Sequence, residues 1–122
     1  MSSKRYKGLL AFQACDKLVL AVYSATQRWP SHERFGLTSQ ARRSAFSTAA
    51  NIAEGCGKRG YREFRRYLDI SLGSLSELSY TLSLAHRLGY VSDQEYTDLN
   101  QLNEKAGRLT FCLARSIDRR AK

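Results

Sequence analysis

The sequence predicts an all-α fold, an antiparallel up-down-up-down four-helix bundle forming a single domain over residues 1–122. Three observations lead there. Apolar side chains recur at helical spacing in four separate segments. A single proline and eight glycines supply few of the turns that an all-β chain needs. Val, Ile and Thr are sparse beside Ser, Leu, Ala and Arg, a balance that favours helix.

The first helix is predicted over residues 9–29. Phe12, Cys15, Leu18, Val22, Ala25 and Trp29 step by 3, 3, 4, 3 and 4. Leu20, Ala21 and Tyr23 add apolar character on other sides, so this helix needs more than one partner surface. Pro30 closes it, because the residue before a proline avoids the helical region. Ser31–Leu37 reads as a loop hinged at Gly36. The second helix, 38–55, takes Thr38 as its N-cap. Its apolar face is Ala45, Ala49, Ile52, Ala53 and Cys56, mostly small residues that let neighbours approach closely. Gly55 and Gly57 are expected to end it by supplying left-handed backbone.

The third helix, 61–88, carries Phe64, Leu68, Ser71, Leu75, Leu78, Leu82 and Ala85 at alternating steps of 4 and 3, a heptad seam. Gly89 stops it. The fourth, 93–118, opens on Ser92-Asp93-Gln94-Glu95, a capping box, and continues through Leu99, Leu102, Ala106, Leu109 and Leu113. The basic tail Arg115–Lys122 is expected to fray. Short links make successive helices antiparallel neighbours.

The net charge is +9 and it is one-sided. Residues 1–66 hold thirteen Lys/Arg against four Asp/Glu, and residues 67–122 hold seven of each. Such a field attracts polyanions: nucleic acid, an anionic membrane or an acidic protein. Cys15, Cys56 and Cys112 are odd in number and widely spaced, which fits neither a disulfide framework nor a zinc site. They are expected as small apolar core residues in a reducing cytosol. The stretch MSSKRYKGLLAFQAC is positive and then apolar, but Gln13, Asp16 and Lys17 interrupt the run, and no small-x-small cleavage site follows. No segment reaches the roughly 18 apolar residues of a bilayer span. A cytoplasmic protein with no membrane partner is expected.

The hexapeptide GCGKRG, residues 55–60, matches G-x-G-x-x-G in letters. The dinucleotide fingerprint needs a strand before it and a helix after it. Here a helix precedes, and no βαβ unit or Walker loop occurs, so no nucleotide cofactor is expected. The glycines read as a helix stop and a helix start, with Gly60 as N-cap and Glu63 in the first turn near the positive end of the dipole. Lys58, Arg59, Arg62, Arg65 and Arg66 place five cations in nine residues. Arg62, Arg65 and Arg66 share a helical face, with Tyr61 interleaved. These five are the candidate nucleic-acid contacts, with Arg42 and Arg43 second. Arginine forks grip phosphate oxygens, and a tyrosine can stack on a base. The bland reading is a solvated turn that pairs with carboxylates of another chain.

No catalytic set emerges. His32-Glu33 begins an H-E-x-x-H motif that fails at Gly36, and His86 stands alone, so no metal site is expected. Glu54, Glu63 and Glu77 are not brought together by spacing, and no nucleophile has a visible base. The chain therefore reads as a non-enzyme. Arg43, Ser47, Asn51 and Glu54 form a polar stripe at spacings of 4, 4 and 3. Asn51 and Glu54, with Ser74 and Glu77, are read as a hydrogen-bonded packing or oligomer seam.

Four elements together resemble one family. They are Phe35-Gly36-Leu37, Gln40 with Arg42-Arg43, Asn51–Gly55, and Gly73-Ser74 with Glu77-Leu78. In this order, over nearly the whole chain, they resemble the four-helix bundle family of 23S rRNA intervening-sequence proteins. More distantly, the chain is similar to the accessory variability proteins of diversity-generating retroelements. The resemblance implies a cytosolic homopentamer with a central channel. It also implies nucleic acid, RNA or DNA, as a partner, and in the retroelement group a reverse transcriptase. The sequence departs from the family at Gly60, where a Ser or Thr cap would be expected. Two readings follow: a basic homo-oligomer that binds nucleic acid, and a protein–protein adaptor for a reverse transcriptase or ribosome-associated factor.

Overall fold

The computed structural model describes residues 3–121. A 3-10 turn at Ser3–Gly8 leads into α1 (Leu10–Thr26). A second 3-10 turn at Ser31–Glu33 precedes α2 (Leu37–Cys56), which is followed by α3 (Tyr61–Arg87) and α4 (Asp93–Ala121). Each helix packs on the next, and α4 closes the ring on α1, while the diagonal pairs do not approach. The helices thus stand at the corners of a square in chain order, the up-down-up-down bundle the sequence predicts. Among the described residues no strand occurs, and no helix is long and apolar enough to cross a membrane.

The core is a column of Leu18, Val22, Ile52, Leu68, Leu75, Leu78 and Leu82 with small residues between them. At its middle each helix contributes one small, fully buried group: Cys15, Thr48, Ser71 and Thr110. The Ser71 hydroxyl donates to the Thr48 carbonyl at 2.7 Å, and Cys15 Sγ lies 3.7 Å from Thr110 Oγ1. Burial raises the Cys15 thiol pKa against the opposing hydrogen bonds from Thr110, Thr48 and Ser71, which keeps it protonated. These polar groups are paired inside the core, as buried polar groups must be.

Several boundaries differ from the sequence expectation. The first helix ends at Thr26, four residues before Pro30. The Thr26 hydroxyl donates to the Val22 carbonyl, and Arg28 and Trp29 continue with tighter i−3 backbone bonds. The second helix starts at Leu37, with Thr38 buried inside it rather than capping it. The Leu37 amide donates to Glu33 Oε1 at 3.0 Å, so a carboxylate from the preceding turn supplies the cap. Gly55 and Gly57 do not terminate α2 through left-handed backbone: Gly55 is helical, and Gly57 has φ −86°. The positive-φ glycines are Gly60 (79°) and Gly89 (81°). Gly89 ends α3 in a Schellman arrangement, with its amide on the His86 carbonyl and the Tyr90 amide on the Ala85 carbonyl. The expected frayed tail is helical through Ala121.

Candidate nucleic-acid interface

Chain direction sends four segments to one end of the bundle. They are the Ser3–Gly8 turn, the α2–α3 connection, the start of α3 and the end of α4. Most of the basic residues go with them. Gly60, at φ 79°, turns the chain into α3, and Tyr61 opens that helix. Lys58, Arg59 and Arg62 project from this connection, all exposed. Among the described residues none of the three has an ion-pair partner; Lys58 Nζ stands 5.6 Å from the Tyr67 ring centre.

Arg65 and Arg66, predicted to share this patch, are engaged within the chain. Arg65 Nε donates to Asp118 Oδ1 at 2.8 Å, and its fork also reaches Asp69. Burial alone would lower the Arg65 pKa; the hydrogen bonds to Asp118 and Asp69 outweigh it and raise it. This arginine clamps α3 to α4. Arg66 pairs with Glu63 at 3.2 Å and lies 4.7 Å from the Tyr67 ring centre. Hydrogen bonding between the two holds the Glu63 carboxyl below its ordinary range and lifts Arg66. The five predicted cations therefore divide into three open ones and two paired ones.

The second-rank candidates lie elsewhere. Arg42 Nε donates to Thr26 Oγ1 at 2.8 Å and its guanidinium covers the Tyr23 ring at 4.9 Å, bracing α2 against α1. Arg43 is exposed and donates to Gln40 Oε1 at 2.7 Å. Both line a shallow groove of about 520 Å³ with Tyr23, Arg34, Phe35 and Phe46. Phe35 is 91% exposed and Phe46 59%. The structure thus does not join Arg42 and Arg43 to the Lys58–Arg62 cluster.

What sequence reasoning missed is the contribution of the two termini. Arg5 and Arg120 join Lys58 around a cleft of about 560 Å³ whose walls include Leu9, Tyr61, Phe64, Leu113 and Ile117. Among the described residues no carboxylate lines it. Summing charge over halves of the chain hid this, because the cations of the last turns are cancelled in the sum by carboxylates on the first turns of α4, at the opposite end. The signal was the basic run Arg115–Lys122, had its helical pattern been continued.

The seam residues also divide. Asn51 Nδ2 donates to the Ser47 carbonyl and to Ser47 Oγ, both at 2.9 Å, and Ser47 Oγ lies 2.7 Å from Ser74 Oγ. This triad joins α2 to α3. Glu54 and Glu77 stay exposed outside it. Of the cysteines, Cys15 is buried, Cys56 half-buried and Cys112 exposed, so the expectation of three core cysteines fails at Cys112. His86 pairs with Asp93 at 2.7 Å and stacks on Tyr96. Among the described residues no group of three His, Cys, Asp or Glu side chains gathers where a metal could sit.

A family model described as 23S rRNA-intervening sequence protein matches residues 7–111. The chain belongs to that family. Its motif residues now have physical roles: Ser74 bonds to Ser47 from α3 to α2, Asn51 holds Ser47 from within α2, and Arg42 braces α1. Gly55 is the close-approach point, where an added Cβ would meet Tyr67 Cβ at 2.6 Å. Among solved structures the chain is similar to one described as a protein with unknown function from the S23 ribosomal protein family of Bacteroides thetaiotaomicron VPI-5482. The identity is 21%, the TM-score 0.80, and the match covers 86% of this chain and 98% of that one. That likeness shows the bundle fold. No curated protein matches the sequence.

Proposed function

We propose that this intervening-sequence family member is a non-enzymatic, basic, self-associating bundle, pentameric as the resemblance implies, that binds nucleic acid, RNA foremost. The observation that carries the reading is the exposed trio Lys58, Arg59 and Arg62 at one end of the bundle, without a carboxylate partner among the described residues. Like charges this close repel one another unless a polyanion meets them. The carboxylates of this end, Glu63, Asp69 and Asp118, pair with Arg66 and Arg65 instead. Self-association is supported by the exposed aromatic side chains of the Tyr23–Phe35–Phe46 face, since large apolar groups gathered in the open mark contact surfaces.

Two substitutions separate binding from folding. Arg62→Ala removes an open cation, so it weakens binding to a structured RNA and lowers the salt slope by about 0.7–0.9, the share of one phosphate contact. Its denaturation midpoint stays put. Arg65→Ala breaks the clamp to Asp118, so it costs about 0.5–1 kcal/mol of stability, as partly exposed ion pairs do, and leaves the salt slope alone. Filter binding at low and moderate salt, with urea melts followed by the single Trp29, reads both. Absence of RNA and DNA binding by the native chain at low salt overturns the reading.

A further inference from the structure

The cleft beside the open cations has a composition that a phosphate-binding surface alone does not call for. Its walls are aromatic and aliphatic: Leu9, Tyr61, Phe64, Leu113 and Ile117. Among the described residues its charged groups are three cations from three separate segments, Arg5, Lys58 and Arg120, with no carboxylate beside them. A volume of about 560 Å³ falls in the roughly 300–1,000 Å³ range of small-molecule sites, which are concave and mostly apolar with a few convergent polar groups. Apolar walls with only cations among their charged groups fit a ligand that is flat and apolar in one part and anionic in another.

We infer that this cleft takes one unpaired nucleotide of the bound nucleic acid, its base against Tyr61 and the apolar wall and its phosphate among Arg5, Lys58 and Arg120. The inference rests on the proposed nucleic-acid reading and narrows it to single-stranded or frayed segments. Lys58 and Arg59 lie on the α2–α3 connection, and Tyr61 and Arg62 open α3 directly after it. A strand held there by its phosphates brings successive bases to the mouth of the cleft. A paired base stays stacked in its helix, whereas an unpaired one can be splayed onto aromatic side chains. Tyr61 is 42% exposed, open enough to receive a base.

Cys56 lines the cleft and is half-buried, so its alkylation reports occupancy. In a Cys112→Ser chain, which removes the exposed thiol while Cys15 stays buried, adenosine 5′-monophosphate and a short oligouridylate slow the reaction of Cys56 with a maleimide. Tyr61→Ala abolishes that protection. It also weakens oligouridylate binding about tenfold, the loss of one stacked base, while binding of a blunt duplex RNA is unchanged. A second variant, Ser116→Trp, fills the cleft from α4 and gives the same split.

Protection of Cys56 by decanoate but not by the nucleotide or the oligouridylate overturns the inference and assigns the cleft to an amphiphile. Duplex and single strand bound alike, with Cys56 unprotected, also overturns it while the surface-cation reading stands. Loss of all nucleic-acid binding at low salt removes the reading beneath it.

Discussion

Gly55 shows how far packing can override a local signal. Glycine in a helix interior costs roughly 0.5–1 kcal/mol against alanine, so a helical glycine needs a reason. Here the reason lies across the interface, where a Cβ would stand 2.6 Å from Tyr67 Cβ and 3.0 Å from Phe64 Cδ1. Gly55→Ala therefore forces α2 from α3 and destabilises the bundle by about 1–3 kcal/mol, the usual penalty of overpacking. Gly73, on α3 with nothing within 4 Å of an added Cβ, gives the opposite sign: Gly73→Ala stabilises by about 0.5–1 kcal/mol. Urea melts of the two variants test the pair. A sequence holds both residues as Gly in a helical pattern; only the neighbour's position tells them apart. Glu33 is a second residue whose role is tertiary. The Leu37 amide and then the Tyr90 hydroxyl hold its carboxyl below the ordinary value of 4.5, and the bond to Glu33 pushes Tyr90 above 10.0. A depressed carboxyl stabilises the fold above its unfolded pKa and loses that contribution as pH falls through the lower folded pKa. A raised tyrosine stabilises below 10.0 and loses its share as pH rises through the higher folded pKa. Glu33→Gln should therefore flatten the fall in melting temperature below pH 4.5 and also the fall above pH 10. Unchanged slopes at both ends refute the pairing.

The helices were legible where their ends are local and illegible where they are not. Ser92 and Glu95 cap α4 reciprocally, with the Glu95 amide on Ser92 Oγ and the Ser92 amide on Glu95 Oε1, both at 3.1 Å. That box reads directly from the S-x-x-E spacing, and the Gly89 stop reads from one residue. Ser92→Ala should cost about 1 kcal/mol, measured by thermal melting. Glu95→Ala should cost more, because its carboxyl, held low by the Ser92 amide and then by Arg28, also ties α4 to the end of α1. Equal losses would show that the Arg28 pair contributes nothing. The cap of α2 was illegible because its acceptor, Glu33, lies outside the motif that usually supplies it. The face of α4 was misread in part for a similar reason. Leu102, Leu109 and Leu113 flank the seam half-buried, while Asn103 and Thr110 sit inside it. Asn103 Nδ2 donates to the Leu75 carbonyl at 3.3 Å, so a polar residue occupies a core position by pairing across to α3. Periodicity in apolar residues cannot find a core position filled by a polar one.

At the scale of the whole molecule the two proposed contact surfaces should respond to salt in opposite directions, which separates them. The cation cluster was visible as five charges in nine residues; of the carboxylates that divide it into three open and two paired members, Glu63 and Asp69 stand one helical turn from their arginines, while Asp118 arrives only through the fold. If Lys58, Arg59 and Arg62 each release one phosphate counterion, binding falls with a slope of about −2 on single strands and nearer −3 on duplex, per copy. That is roughly a 20- to 40-fold loss per copy between about 50 and 200 mM salt. The proposed self-association through Tyr23, Phe35 and Phe46 should behave otherwise. Its attraction comes from burying aromatic area, while the net +9 on each copy opposes it. Raising salt shrinks the Debye length from about 10 Å at 0.1 M to about 3 Å at 1 M, which screens that repulsion. Sedimentation across this range should therefore show assembly that holds or strengthens as nucleic acid is released. Phe35→Ser should weaken the assembly at every salt concentration and leave the binding slope per copy unchanged. Assembly that dissolves in parallel with nucleic-acid release would mean the copies are held by charge or by the nucleic acid itself, and the aromatic face would lose its role.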